Sequence, residues 1–192
     1  MDGLKLYIQN SPFNYEQNNF YNGWTHDHYV SNILVFCPDG TIPCCCLNVP
    51  GSQHDSTVAE WGSVYKKLAD VFNKYGAYCT VDSAFARTKY RFLLKSSQAL
   101  PETIEEIRIN TEATAMRQAA EWGMHTFQSS FPRIKDRIFF ERGVQTERRV
   151  ILKLLVRLFN YRAREVGINQ ILNTYMPHLK IEGNIFAKGY EE

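Results

Sequence analysis

The sequence predicts an α/β protein in which a mixed sheet is covered by helices. Strand-like patterns crowd the first 81 residues, a single amphipathic helix interrupts them, and helical periodicity dominates the C-terminal half. Leu4, Leu6 and Ile8 alternate with Lys5, Tyr7 and Gln9, the period of two expected of a first strand. Residues 11–23, rich in Asn, read as a loop. Second and third strands are expected over 29–36 and 41–49. Between them lies Pro38-Asp39-Gly40, where proline presets φ and glycine permits φ > 0, so the pair is a hairpin. After Pro50-Gly51, Asp55 or Ser56 is expected to cap a helix. Its apolar positions Val58, Trp61, Tyr65, Leu68, Phe72 and Tyr75 recur every three or four residues, and Gly76 stops it. Residues 77–81, apolar on both faces, are expected as a central fourth strand running into Asp82. A polar connection over 96–111 leads to a helix over about 112–131. That helix has an apolar stripe of Met116, Ala120, Met124, Phe127 and Phe131 and is stopped by Pro132. Further helices are expected over 147–164 and near 168–175, with a loose end from Gly183.

Composition narrows the function classes. A chain of 192 residues, 44% hydrophobic and 22% charged, has the makings of a packed core, so it is not a disordered chain. Its net charge of +2 excludes a histone-like polycation. The charge is unevenly spread: residues 1–116 sum to −3 and residues 117–192 to +5. No stretch is long and apolar enough to span a bilayer, and no basic, apolar leader precedes Asp2. The five cysteines, Cys37, Cys44, Cys45, Cys46 and Cys79, lack metal-ligand spacing and read as reduced, small apolar side chains, so the protein is expected inside the cell. There is no phosphate-binding glycine loop and no nucleophile elbow.

The element order is that of the RNase H-like fold: a mixed sheet with flanking helices and, here, a helical C-terminal extension. In such a sheet the first and fourth strands are neighbours. Asp2 at the start of the first strand, Asp82 at the end of the fourth and Glu121 on the polar stripe of the long helix would then converge. Converging carboxylates repel unless a cation holds them, and their hard oxygens suit Mg²⁺ or Mn²⁺. Two such ions activate a water or a 3′-hydroxyl and stabilise the leaving oxygen of a phosphodiester. Spacing alone leaves ordinary alternatives open. Asp2 reads equally as an exposed terminal residue, Asp82 as a turn residue, and Glu121 as the partner of Arg117 four residues earlier.

Several stretches carry a family resemblance: Asp2-Gly3, Pro50-Gly51-Ser52-Gln53-His54-Asp55-Ser56, Val81-Asp82-Ser83-Ala84-Phe85, and Arg117-Gln118-Ala119-Ala120-Glu121-Trp122-Gly123. Phe131-Pro132-Arg133-Ile134-Lys135 and Leu158-Phe159-Asn160 come after them in the family's order, Phe159 standing where the family has His. Over residues 1–165 the chain resembles the nuclease domain of DDE-type transposases of the PIF/Harbinger group and host proteins derived from them. The resemblance implies an RNase H-like domain over 1–165, with 166–192 as the extension. It also implies a metal-dependent triad of Asp2, Asp82 and Glu121, DNA as the substrate, nuclear residence and, in some systems, a Myb-like protein partner. His54, Asp55 and Arg117 are structural members of the motifs, Asp55 as a helix cap. A typical relative carries a helix-turn-helix region and half a strand before the first Asp; here Asp2 adjoins Met1, so fraying is expected to loosen its carboxylate.

Basic residues supply the DNA-facing candidates. Arg149, Lys153 and Arg157 fall on one helical stripe, and Arg133, Lys135 and Arg137 alternate after the Glu121 helix. A solvated helix face explains the stripe as well. His26 and His28 flank Asp27 without a third ligand at recognisable spacing and read as a polar strand start. His125, one turn after Glu121, and Lys95 are weaker candidates. Two functions remain in view: a metal-dependent DNA endonuclease or strand transferase, and a catalytically inactive, truncated or domesticated domain that binds DNA or protein.

Overall fold

The structure, a computed structural model, describes residues 1–10, 13–82, 84–85, 89–95, 103–138, 144–167 and 170–174. The end expected to be loose from Gly183 lies outside these residues. Strand β1 (Asp2–Tyr7) runs antiparallel to β3 (Asp27–Val35), with Asp2 opposite Leu34 and Tyr7 opposite Tyr29. The segment expected as loop contains a short helix, α1 (Asn14–Phe20), and the two-residue β2 (Tyr21–Asn22), which pairs with the start of β3. Strand β4 (Cys44–Pro50) flanks β3 antiparallel. The turn between β3 and β4 holds Gly40 at φ 80, as its Pro-Asp-Gly sequence requires.

The central strand is β3, buried from Tyr29 to Val35, and not the fourth strand pattern. That pattern yields only β5 (Cys79–Thr80), paired in parallel with β6 (Leu93–Leu94) in a separate two-stranded sheet. The expected neighbourhood of the first and fourth strands survives as one bond. Met1's ammonium donates to the Thr80 carbonyl at 2.8 Å. Because β1 begins at Asp2, only Met1 lies alongside β5, and no ladder forms there. The architecture is mixed α/β with two small sheets and packed helices.

The helix expected over 55–75 is broken into α2 (Asp55–Trp61) and α3 (Val64–Tyr75). Gly62 causes the break by close approach: a Cβ there would lie 2.4 Å from the Cys46 Cβ. Ser63 then turns left-handed at φ 54. The break rotates the apolar face, burying Val58, Val64 and Tyr65 and leaving Trp61 and Tyr75 exposed. Helix α4 (Ile104–Ser130) starts well before residue 112 because Thr103 and Glu106 form a capping box. The Glu106 N–H donates to Thr103 Oγ1, and the Thr103 N–H donates to Glu106 Oε2. A 3-10 turn (Pro132–Lys135) and α5 (Val144–Val166) come next, with helical residues again at 170–174.

Two cores flank the β1–β3–β4 sheet. Met1, Ile33, Val35, Val58, Val64 and Phe92 pack on the α2–α3 side. Leu4, Leu6, Ile8, Leu34, Phe127, Leu152 and Phe159 pack on the α4–α5 side. The even residues of β1 therefore face α4, which places Asp2 on that face and Gly3 on the other. Gly123 lets α4 close down on Phe36, whose ring lies 2.6 Å from where a Cβ would stand. Asn160 anchors α5 to the hairpin: its Oδ1 accepts from the Ile42 N–H at 2.7 Å and its Nδ2 donates to the Ile42 carbonyl at 2.8 Å.

A buried polar seam crosses the sheet. Asn32 is fully buried where the β3–β4 register shifts, and its Nδ2 donates to the carbonyls of Leu4 and Val30. Its Oδ1 accepts from the N–H of Asn48, which sits left-handed at φ 62. Asn48 Oδ1 in turn accepts from Nε of the buried Arg148 on α5. All five cysteines are free thiols. Burial, then the nearby Asp39 carboxylate, pushes Cys37 up to about 11, and burial pushes Cys44, Cys45 and Cys46 up as well, so these thiols stay protonated and serve as apolar side chains.

Phe127 lies in the core with Leu4, Leu6 and Ile8 of β1 and ties α4 to α5 through edge-on contacts with Phe131 and Phe159 at 5.5 and 5.4 Å. Phe127→Ala is expected to cost about 3–5 kcal/mol in urea unfolding. Trp61→Ala, at a position the broken helix turns to solvent, should stay within about 0.5 kcal/mol of the parent.

Candidate active site

Arg117 on α4 stands between Asp82, after the end of β5, and Glu121 one turn on, and Asp82 lies near enough to Asp2 for its charge to act on the Asp2 carboxyl; no contact joins Asp2 to Glu121 among the described residues. The bond from Met1 to Thr80 brings Asp2 beside the chain that runs on through Val81 to Asp82. The start of β1, expected to fray, is packed in the structure: Met1 is 4% exposed, and Asp2 pairs with Leu34. Asp2 Oδ1 accepts from the Gly3 N–H at 2.7 Å. Burial pushes the Asp2 carboxyl above its ordinary range. The charges of Asp82 and Asp55 push the same way, against the Gly3 hydrogen bond and the terminal ammonium.

Arg117 connects the other two acids. Its Nη1 lies 3.7 Å from Asp82 Oδ1 and its Nε lies 3.9 Å from Glu121 Oε1, beyond hydrogen-bond length, so Nε is buried without a hydrogen-bond partner. Residues 117 and 121 share a helix face by their spacing of four, which is why one guanidinium reaches both the strand-end acid and the helix acid. Arg117 is thus a charge centre between two of the expected ligands, a place that its reading as a purely structural motif member did not give it. Among the described residues, no group of three or more His, Cys, Asp or Glu side chains is close enough together to hold a metal ion. The chemistry of the donors nevertheless fits one. Asp2 and Asp82 are hard oxygen donors that repel one another, and Asp82 and Glu121 already share a cationic group.

Asp55 departs from its expected role. The α2 N-cap is His54, which is exposed and makes no side-chain capping bond. The Asp55 carboxylate turns instead to the sheet, accepting from Ser31 Oγ at 3.1 Å. It also lies directly against Gly3, where a Cβ would stand 2.6 Å from Asp55 Oδ2. Since Gly3 and Asp2 face opposite sides, Asp55 buttresses the strand from beneath the position that presents Asp2. The sequence signal for this was the joint presence of Asp2-Gly3 and His54-Asp55, a pairing visible only once β1 and α2 are in contact.

The basic candidates separate. Arg133 and Lys135 are exposed on the 3-10 turn after α4, and Arg149, Lys153 and Arg157 are exposed on α5. Arg137 is engaged: its guanidinium donates to both oxygens of Asp27 at 2.9 and 2.8 Å and to the Ile8 carbonyl. His26, left-handed at φ 53, has its Nδ1 3.3 Å from the Tyr21 hydroxyl, and His28 packs its ring against Tyr21. Together with Gln9, Asn10, Asp27 and Arg137 these histidines line an open cavity of about 380 Å³. With Asp27 taken by Arg137, the segment is a polar strand start. His125 is exposed on α4, and Lys95 is half-buried after β6.

A family model described as DDE superfamily endonuclease matches residues 1–160. The chain belongs to that family. The match spans every element from β1 into α5, including all three acids of the site. A nuclease domain is therefore the coarse reading of this DDE endonuclease, DNA its substrate class, and divalent metal the cofactor class the family generally uses. No curated protein and no solved structure matches the chain. Among the described residues, no helix is long and apolar enough to cross a membrane.

Two outcomes test this geometry. Gly3→Ala drives a methyl group into the Asp55 carboxylate, with an expected loss of about 1–3 kcal/mol in urea unfolding. The loss should shrink in an Asp55→Ala background. The Arg137 guanidinium, chiefly through its hydrogen bonds, holds Asp27 below its ordinary value of 3.8. A carboxyl lowered in this way stabilises the fold above its unfolded value, and the gain is lost as pH falls through the folded value. Asp27→Asn should therefore melt below the parent at neutral pH, and the gap should narrow as pH falls through and below the ordinary carboxylate range.

Proposed function

We propose that this DDE endonuclease is a transposase-type nuclease of the PIF/Harbinger group, with an RNase H-like domain over 1–165, that cuts or transfers DNA strands at Asp2, Asp82 and Glu121. The observation that carries the proposal is Arg117 set between Asp82 and Glu121, with Asp82 close enough to Asp2 for its charge to push the Asp2 carboxyl up. The order β4–β3–β1 with a parallel β5–β6 pair beyond it supports the RNase H-like reading. A divalent ion, Mg²⁺ or Mn²⁺ and two in number by the resemblance, supplies Lewis-acid activation of the attacking oxygen and charge for the leaving one.

In this reading Asp2 and Asp82 would hold the cation, and Glu121 would complete the donor set once free of its contact with Arg117. The site is open: the Asp82 and Glu121 side chains are 45% and 57% exposed, as a polymeric substrate requires. Arg133 and Lys135, just beyond the C-terminal end of α4, are the proposed first phosphate contacts, with Arg149, Lys153 and Arg157 extending the track along α5. Arg137 joins them only if it leaves Asp27. Nuclear residence and a Myb-like partner belong to the proposal through the resemblance alone.

The same Arg117 favours a second reading. A guanidinium already balancing Asp82 and Glu121 does part of what a cation would do, which suits a domesticated domain that binds DNA without cutting it. One experiment separates them. Under the nuclease reading the parent cleaves plasmid DNA with Mn²⁺, and Mn²⁺ titration calorimetry gives saturable heat. Asp82→Asn and Glu121→Gln each reduce cleavage by at least about 10²-fold. Cleavage that survives both substitutions refutes the assignment. DNA binding with neither cleavage nor Mn²⁺ heat selects the binding domain.

A further inference from the structure

Helix α5 is apolar on two opposite faces. Leu152, Val156 and Phe159, with Arg148, face the core at 6% exposure or less. Ile151, Leu154, Leu158 and Tyr161 form a second stripe, each 47–65% exposed. A helix that is apolar on both sides is normally covered on both, and a stripe spaced three, four, three is the seam by which one helix packs along another. Isolated exposed apolar residues need no explanation; four in register on one helix do. We propose that the outer face of α5 docks an amphipathic helix of a protein partner whose positions flanking its own apolar seam are Asp and Glu.

Charge selects this occupant. With Ile151 and Leu158 at the a positions and Leu154 and Tyr161 at d, the flanking positions hold Val150, Arg157 and Arg164 on one side and Leu155 and Arg162 on the other, the last also bonded to Ser130, so every charge on the flanks is an arginine. A second copy packed in parallel would set Arg157 against Arg162, and an antiparallel copy would set like residues against each other. Both arrangements place arginine opposite arginine, so self-pairing is disfavoured. Duplex DNA satisfies the arginines but offers its phosphate backbone to the apolar stripe, leaving the stripe uncovered or desolvating phosphates against it. Acidic flanks on a helix satisfy both features. The seam is about two heptads long and ends at Glu147 and Glu165, which limits the partner segment to a similar length.

The test uses the full chain and a fluorescently labelled synthetic peptide of about three heptads, Leu at a and d and Glu at e and g, against the same peptide with Lys at e and g. Anisotropy should show the acidic peptide binding at least about tenfold more tightly. Leu154→Ser and Leu158→Ser, at exposed positions, should each weaken it by about tenfold while leaving the thermal melt unchanged. A charge-swapped Arg157→Glu/Arg162→Glu protein should prefer the Lys peptide, an outcome that does not depend on the Ser variants. Equal affinity for the two peptides, or no binding by either, overturns the proposal. So does a dimer in sedimentation equilibrium that Leu158→Ser dissociates, which assigns the face to a second copy. Loss of DNA binding in Leu154→Ser and Leu158→Ser overturns it in favour of nucleic acid.

Discussion

Asn32 is the constraint on which the arrangement depends. It is a polar side chain with no solvent exposure in the middle of the central strand, and all its bonds go to neighbours that must hold one register. The carbonyl of Leu4 fixes β1 against β3, and the N–H of Asn48 fixes β4 on the other side at the point where one strand carries an extra residue. A slip by one residue would strand these buried groups at about 1–3 kcal/mol each and turn every β1 side chain to the wrong face. The left-handed Asn48 and the buried Arg148 extend the same seam to α5, so strand register and helix position are set together.

Register is what gives the carboxylates their geometry. With Asp2 opposite Leu34, the even residues of β1 face α4, and Asp2 shares that face with Leu4, Leu6 and Ile8. Gly3 then faces α2 and leaves room for the Asp55 carboxylate, which a side chain would displace. The result places acids on both sides of one strand end. Asp2 bears the consequence, raised first by burial and then by two neighbouring carboxylates. Arg117 relieves the outer pair but makes no contact with Asp2 short enough to count as an ion pair. A cation held by Asp2 and Asp82 would relieve the remaining repulsion, which is the physical content of the family's need for metal.

The strands, the hairpin turn and the order of the acids were legible in the sequence because they rest on local signals: alternation in 4–9, Pro-Asp-Gly at 38–40, two acids at strand ends and a third on the polar stripe of a helix. The break at Gly62 was not, since periodicity runs through it unbroken and the cause, contact with Cys46, is tertiary. The early start of α4 does have local signals, the capping-box spacing of Thr103 and Glu106 and the isoleucines Ile104 and Ile107, but these isoleucines are exposed and sit among charged residues, so the segment reads as a connection. The central place of β3 instead of the fourth strand pattern could not be read from composition, because both are apolar on both faces and only pairing partners distinguish them. The role of Asp55 was hidden for a related reason. A helix-start acid satisfies the capping rule whether or not it caps, and its contacts with Ser31 and Gly3 join residues far apart in the chain.

The basic C-terminal half is better understood as parts with different neighbours than as one surface. Arg117 is spent on Asp82 and Glu121, Arg137 on Asp27, and Arg148 is buried in the seam against Asn48 with its charge over the Phe20 ring. Arg162 reaches Ser130 at the end of α4. The surface left for a polyanion is narrower than the summed charge suggests: Arg133 and Lys135 beyond the end of α4, and Arg149, Lys153 and Arg157 along one side of α5. Arg157 also borders the apolar stripe, so the two faces of α5 meet at that residue. A nucleic acid on one side and an acidic helix on the other would compete for it, which couples the two ligands without any change in shape: each weakens the other through one shared guanidinium.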